Sequence, residues 1–305
     1  MRPHLVDCLL ILTAALASAS PMSAQAASPP SSDWSSVEQA LGRKGAPNPG
    51  DVIKFSFPRS DLSVSVAGVQ LKPALALGSW VAFEHTGGGA IAVGDLVLAE
   101  EEVAPVMKKL QEGGVEQTAL HNHLLMESPR VMYMHIHGRG DAQKLATTIH
   151  DALALTKTPM SVPAPAAPSP GIDLDTAMIA KSLGVAGKVS GGVYQVTVPR
   201  AERITEHGAE IPPSMGVATA INFQPTGGGK AATTGDFVLI ASEVNPVIRA
   251  LTSHGIAVGA LHSHMLEETP RLFFLHFWAN DDASALAAGL RSALDAMNVK
   301  RAPRQ

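Results

Sequence analysis

The sequence predicts an α+β fold made of two tandem copies of one domain, each an antiparallel sheet with helices packed on one face. Three observations lead to this prediction. Matching segments recur 140 or 141 residues apart along the 305-residue chain. Apolar and polar residues alternate over short stretches, which is the period of half-buried strands. Each copy also closes with segments in the order β-α-β-β-α, as in part of a ferredoxin-like sandwich.

The first residues predict export. A mildly basic start precedes a mostly apolar run at residues 9–18, and Ala24-Gln25-Ala26 forms an A-x-A cleavage site. The run is shorter than the roughly 20 residues that a transmembrane helix needs, so residues 1–26 indicate a secretory signal peptide. Cleavage near Ala26 would remove Cys8, the single cysteine. We therefore expect a periplasmic or secreted chain without disulfides and without a transmembrane segment.

Composition predicts the domain boundaries. Residues 27–33 form a disordered start, residues 34–155 the first repeat domain and residues 172–299 the second. Between the repeats, residues 156–171 contain five prolines, which indicates an extended, semi-rigid linker.

Local patterns predict each element of the first repeat. In chain order the elements are a helix at 34–42, strands at 52–57, 62–66, 79–83 and 96–99, a helix at 103–111, strands at 115–126 and 131–138, and a helix at 142–155. Gly113-Gly114 ends the middle helix, and Asp141 is a suitable N-cap for the last one. The glycine runs after Thr86 and Thr226 lie between predicted strands, which indicates turns rather than phosphate-binding loops.

One histidine-rich motif occurs in both copies. Residues 119–130 read ALHNHLLMESPR and residues 260–271 read ALHSHMLEETPR, with eight of the twelve positions identical. In a strand, residues two apart point to the same face, so each H-x-H pair lies side by side. A three-residue turn ending at Arg130 predicts a hairpin that pairs Glu127 with Val131. The same register pairs His123 with His135 and His121 with His137.

This register predicts two distinct faces. It gathers the four histidines on one face and a core face opposite, made of Leu120, Leu124, Met126, Met132, Met134 and Ile136. In the second copy the histidine face also carries Trp278, and the predicted core face consists of Leu261, Met265, Phe273, Leu275 and Phe277.

The histidine face predicts a divalent-metal site in each repeat. Facing strand residues stand about 4.5–5.5 Å apart, and neutral imidazoles at that spacing can converge on one ion. The predicted ligands are His121, His123, Glu127, His135, His137, His262, His264, Glu268 and His276. These residue types leave Zn, Mn, Fe and Cu open. A hydrogen-bonded histidine cluster in a polar cleft is the structural alternative.

Other polar residues favour ordinary roles. Arg130 and Arg271 are expected to pair with Glu127 and Glu268 rather than to bind an anionic substrate. Asp95 and Asp236 each follow a glycine before a strand, which indicates turn chemistry. The net charge of −4 and the aromatic content of 4% give no basis for nucleic-acid binding.

The repeated ALH[NS]H…E[ST]PR block, the GD[LF]VL strand and the two-copy layout resemble the LppY/LpqO-type family of exported bacterial proteins. That resemblance implies export and a duplicated domain of unknown function, and it supplies no reaction. The H-x-H-x3-E spacing also resembles the first metal motif of the cupins. The likeness is local, because His135 follows too early for a cupin barrel.

Three functions remain open from the sequence. The first is metal handling or sensing by an exported protein with one histidine-rich site per repeat. The second is a metalloenzyme, a hydrolase or oxygenase, with Glu127 as a ligand or general base beside a metal-bound water. The third is a metal-free protein-binding module. The sequence leaves open whether the protein is an enzyme and whether it has a protein partner.

Overall fold

The computed structural model describes residues 33–161 and 171–300. The predicted signal peptide, residues 27–32 of the predicted disordered start and residues 162–170 of the predicted linker lie outside the described residues. The first repeat contains, in chain order, α1 Ser35–Leu41, β1 Ala46–Asn48, β2 Val52–Pro58, β3 Ser65–Val66, β4 Val69–Gln70, α2 Pro73–Ala76, β5 Gly78–Thr86, β6 Gly89–Ala99, α3 Glu100–Glu112, β7 Glu116–His121, β8 Glu127–Ser128, β9 Val131–Gly140 and α4 Ala142–Leu153.

The second repeat follows the same order. Its elements are α5 Thr176–Leu183, β10 Lys188–Ser190, β11 Val193–Pro199, β12 Thr205–Glu206, β13 Ala209–Glu210, a 3₁₀ helix at Pro213–Met215, β14 Ala218–Gly227, β15 Lys230–Leu239, α6 Ala241–Ser253, β16 Ala257–His262, β17 Glu268–Thr269, β18 Phe273–Asp282 and α7 Ala283–Asp295.

Each repeat is built on one six-stranded antiparallel sheet, which confirms the predicted α+β fold. The strand orders are β1-β2-β5-β6-β9-β7 and β10-β11-β14-β15-β18-β16. The expected β-α-β-β-α ending is present as β6-α3-β7-β9-α4, with β9 inserted between β6 and β7. This insertion places β9, which carries His135 and His137, inside the sheet and leaves β7 at its edge.

The longer helices cover one face of each sheet. In the first repeat, apolar residues of α1, α3 and α4 pack on the inward side chains of β2, β5, β6 and β9 around Phe55, Phe83 and Ile149. The Asp141 side chain accepts a hydrogen bond from the Lys144 amide at 2.7 Å, so the expected N-cap of α4 is confirmed. The predicted strand at 62–66 is shorter than expected, because only Ser65 and Val66 pair with neighbouring strands.

The opposite face of each sheet is covered by the other repeat. We call β3, β4 and α2 the first arm, and β12, β13 and the 3₁₀ helix the second arm. The first arm packs on β14 and β15, and the second arm packs on β2 and β5. Hydrogen bonds hold the first arm against the second repeat. The Lys72 amide donates to Gln224 Oε1, and Gln224 Nε2 donates to the Gln70 carbonyl, both at 2.8 Å. Two apolar clusters therefore contain residues from both repeats.

A buried arginine anchors each sheet to a helix. Arg59 lies 2.7 Å from Glu102 at the start of α3, and Arg200 lies 2.6 Å from Glu243 at the start of α6. Each guanidinium also donates to a backbone carbonyl of the strand that leads into that helix, Val97 on β6 or Val238 on β15. A charge buried in this way requires a partner, which explains why both repeats pair the buried arginine with a glutamate.

The part of the predicted linker that is described lies against the first repeat. Arg43 Nη2 donates to the Met160 carbonyl at 2.9 Å, and the Lys157 amide donates to Glu102 Oε1 at 2.9 Å. Within residues 33–161 and 171–300, we find no helix with the length and apolar character that crossing a membrane requires.

Candidate metal centre

The histidine hairpin has a longer connection than the sequence predicted. His121 lies opposite Tyr133, and Ala119 lies opposite His135, so the expected pairing of His123 with His135 and of Glu127 with Val131 is wrong. The reason is that β7 ends at His121. The chain then forms a loop and pairs β8 with β3 of the arm before it enters β9.

Several apolar residues expected in the core are exposed. Leu120 and Met126 were expected in the core, but they are 42% and 81% exposed, and Leu261 is 46% exposed. The observed register differs from the predicted one by an even number of residues, so His121 and His135 still point to the same face.

The face-to-face packing of the repeats brings both histidine clusters into one place. Three ring pairs join the repeats, with centroids 3.6 Å apart for His121–His262, 3.6 Å for His123–His276 and 3.5 Å for His135–His264. The first pair joins equivalent residues, and the other two pairs are equivalent to each other. The six imidazoles therefore surround a pseudo-twofold axis between the repeats.

Burial keeps the cluster histidines neutral. It lowers the pKa of His121 to about 4 and that of His262 to about 3. The pKa lies well below its usual value for His123, His135, His264 and His276, where burial is the main cause and neighbouring imidazoles add to it. Neutral imidazoles offer lone pairs to a cation at neutral pH.

Two aspartates complete the cluster, and the sequence analysis assigned them to turns. Asp95 on β6 lies opposite His135, and Asp236 on β15 lies opposite His276. His135 Nε2 is 3.8 Å from Asp95 Oδ1, and His264 Nε2 is 3.7 Å from Asp236 Oδ2. A repeated acidic residue within an otherwise apolar strand was the signal that could have identified them.

Burial also dominates the ionisation of these aspartates. It raises the pKa of Asp95 to about 7, against the opposing effect of the Lys54 ammonium. The pKa of Asp236 is raised well above its usual value, first by burial and then by the nearby Asp95. Each carboxyl group becomes a good anionic ligand once a cation replaces its proton.

Four overlapping groups have ligand atoms that converge for a metal ion. Within each group the ligand atoms lie within 4.8 Å of one another, and the groups are His121-His135-His262-His264, His121-His123-His276, Asp95-His123-His135 and Asp236-His264-His276. The first group takes two histidines from each repeat and is the largest. All six clustered histidines that the sequence predicted as ligands occur in these groups.

The two predicted glutamate ligands do not join these groups. Glu127 Oε1 accepts from the Val131 amide at 3.2 Å, and Glu268 Oε1 accepts from the Leu272 amide at 2.7 Å. Arg271 lies 3.2 Å from Glu268, as expected for an ion pair. Both glutamates therefore serve the hairpin turn in this arrangement.

His137, the remaining predicted ligand, contacts the second arm instead. Its Nε2 lies 3.2 Å from Glu206 Oε2, and this contact is the main reason that the pKa of Glu206 is lowered. The position equivalent to His137 is Trp278 in the second repeat, so this contact has no counterpart there.

Gly259 allows the two repeats to approach at the cluster. A Cβ at this position would lie 2.4 Å from the His123 carbonyl oxygen. We expect Gly259→Ala to lower the free energy of unfolding by about 1–3 kcal/mol, because the crowded backbone must shift. Urea denaturation measures this effect. Gly87→Ala is the matched control, since nothing lies within 4 Å of its added methyl group, and equal stabilities for the two variants would contradict the prediction.

Comparison with known proteins identifies a family whose function is unknown. A family profile described as a Domain of Unknown Function (DUF1259) matches residues 35–155 and again residues 177–296. No curated protein matches the chain significantly. Two solved structures show 11% identity to the chain. A trimeric bacterial microcompartment shell protein, PduB, aligns over 82% of this chain and 89% of its own, with a TM-score of 0.21. EtuB from Clostridium kluyveri aligns over 82% and 90%, with a TM-score of 0.19.

Similarity this low supports no conclusion about fold or function. The two family matches support the duplicated domain of unknown function that the internal repeat predicted, whereas the LppY/LpqO attribution stays a prediction. The chain therefore belongs to the DUF1259 family of domains of unknown function and carries that domain twice.

Proposed function

We propose that this protein is an exported divalent-metal-binding protein whose two repeats share one metal centre. One observation carries the proposal: four buried or half-buried imidazoles, two from each repeat, place a ligand nitrogen within 4.8 Å of one another. These are His121, His135, His262 and His264. One role for such a centre is the handling or sensing of metal outside the cytoplasm.

The energetics of the cluster favour a cation. Buried polar atoms without partners destabilise a fold by about 1–3 kcal/mol each. His121 Nδ1, His135 Nε2 and His276 Nε2 have no hydrogen-bond partner among the described residues. A divalent ion would bind such lone pairs, so the proposal accounts for a costly arrangement that hydrogen bonding leaves unsatisfied.

The identity of the metal depends on which side chains act as ligands. A set of four imidazoles suits Zn or Cu, and the participation of Asp95 or Asp236 brings in Mn and Fe. Histidine and aspartate ligands also suit an oxidising compartment, where thiolates are prone to oxidation. This agrees with the export expected from residues 1–26.

A metalloenzyme is the second candidate. A small cavity that is lined in part by His135 and His264 favours it, because a catalytic metal needs space for a water or substrate molecule.

Metal content tests the proposal directly. A chelator first removes bound metal from the purified protein. The protein is then incubated with Zn, Mn, Fe or Cu, and unbound metal is removed. Mass spectrometry measures the amount of metal that stays bound. We expect wild type to retain one of these metals and His121→Ala/His262→Ala to lose it. His150→Ala is the control, since it removes an imidazole from helix α4 outside the cluster. No retained metal in wild type would refute the proposal.

A further inference from the structure

The two sides of the histidine cluster differ in one pair of contacts. On one side, His137 of the first sheet faces Glu206 of the second arm at 3.2 Å. On the other side, Trp278 takes the place of His137 and Val66 takes the place of Glu206. The strand pairing establishes this equivalence, because Val66 lies opposite Glu127 and Glu206 lies opposite Glu268.

One of these contacts is polar and the other is apolar. His137 and Glu206 are only 9% and 4% exposed, so both are polar side chains held in the interior. Trp278 packs instead on the apolar cluster that contains Val66 and Leu124. A buried polar pair without a structural counterpart invites a functional explanation, because the apolar pair shows that this fold does not require it.

A cavity of about 30 Å³ lies next to the polar pair. Its walls include His137, Glu206, Thr118 and Phe274, together with the cluster residues His135 and His264. The walls are mostly apolar, but a cavity of this size accommodates one or two water molecules where polar groups such as Glu206 line it. The cavity thus connects two imidazoles of the proposed metal centre with a carboxylate that can accept a hydrogen bond.

We propose that this cavity holds the open coordination position of the metal centre and binds a water-sized, neutral, proton-donating ligand there. The inference rests on the proposed function, since it requires a metal at the cluster. The metal would bind the ligand oxygen from the side of His135 and His264. Glu206 Oε2 would accept a hydrogen bond from the same ligand, with His137 holding the carboxylate in place.

The chemistry of the lining sets the ligand class. A carboxylate opposite a cation favours a ligand with a lone pair on one side and a proton on the other, and a water molecule is the smallest such ligand. The carboxylate disfavours small anions through repulsion. The size of the cavity excludes large organic substrates from this position.

The test uses copper as the probe, because Cu(II) binds nitrogen sites most strongly among the divalent ions in question and is paramagnetic. Cu(II)-loaded protein in water labelled with ¹⁷O is examined by pulsed electron paramagnetic resonance. We expect an ¹⁷O hyperfine coupling from a bound water in wild type. His137→Trp places a larger side chain, the one found at the equivalent position 278, in the cavity wall, and it should remove the coupling while the copper content stays the same.

Two further variants complete the test. Thr118→Ile fills the cavity from another wall and leaves the His137–Glu206 contact intact, so it should also remove the coupling even if His137→Trp fails to fold. Trp278→Phe on the opposite side is the control and should retain it. Wild-type protein that binds no copper contradicts the proposed function. Copper binding without ¹⁷O coupling, or coupling that survives in both filled variants, overturns the water site alone.

Discussion

Replacing either His135 or His264 by alanine should weaken metal binding at the shared four-histidine group, although the two residues belong to different repeats. Both lie in the four-histidine group that draws two ligands from each repeat. A four-ligand site of the zinc-finger type is worth about 10–16 kcal/mol, so the loss of one ligand should weaken binding on the order of 100-fold. Isothermal titration of the chelator-stripped variants with the retained metal measures this change.

The alternative arrangement makes a different quantitative prediction. If each repeat bound its own ion, through Asp95-His123-His135 and Asp236-His264-His276, either substitution would leave the other group intact. Half of the metal would then remain at wild-type affinity. His150→Ala again controls for the loss of one imidazole, and a half-loaded His135→Ala protein would exclude a shared site.

The metal-free protein should lose stability steeply as the pH falls from about 7 towards 5. The six cluster histidines have a lowered pKa in the folded state, so the unfolded chain takes up protons near pH 6.5 that the folded chain does not. Above about pH 6.5 both states are neutral at these histidines. Below it the unfolded chain binds protons that the folded chain excludes, so the free energy of unfolding falls.

The two aspartates act in the opposite direction. Because the pKa of Asp95 is raised to about 7, the folded chain binds a proton there below about pH 7 that the unfolded chain releases until about pH 4, and the raised pKa of Asp236 acts in the same direction. Six histidines outnumber two aspartates, so the unfolded state binds more protons in this window. Each excess proton changes the free energy of unfolding by about 1.4 kcal/mol per pH unit, and a total loss of several kcal/mol is expected.

Urea denaturation at pH 7, 6 and 5 with a chelator present measures this loss. His121→Gln/His262→Gln should flatten the dependence, because two titrating groups are removed, and His150→Gln should leave it unchanged. Added metal should restore stability by about 2.7 kcal/mol at a concentration 100 times its dissociation constant. Equal slopes for wild type and the double variant would show that the cluster does not control the acid response.

The proposed shared metal centre explains why the histidine motif occurs twice in the chain. One hairpin supplies His121 and His135, which are two imidazoles of the largest ligand group, and its copy supplies His262 and His264. Face-to-face packing around a pseudo-twofold axis then doubles the number of ligands available.

The sequence by itself determined the two repeats, the α+β class and the six clustered histidines, because these depend on periodicity and on local residue patterns. It also determined which face of β9 carries His135, since an even shift of register preserves the face. It did not determine the hairpin connection, because the pairing of β8 with β3 joins residues that are far apart in the chain.

Only the tertiary structure decided that the histidine clusters of the two repeats meet in one place. The contact between His121 and His262 depends on how the sheets exchange arms, and no local pattern records that packing. The same packing buries Asp95 and Asp236 and sets His137 against Glu206. Strand alternation determines which residues share a face of one sheet. The histidines of the two repeats come together only through long-range contacts, which form when the whole chain folds.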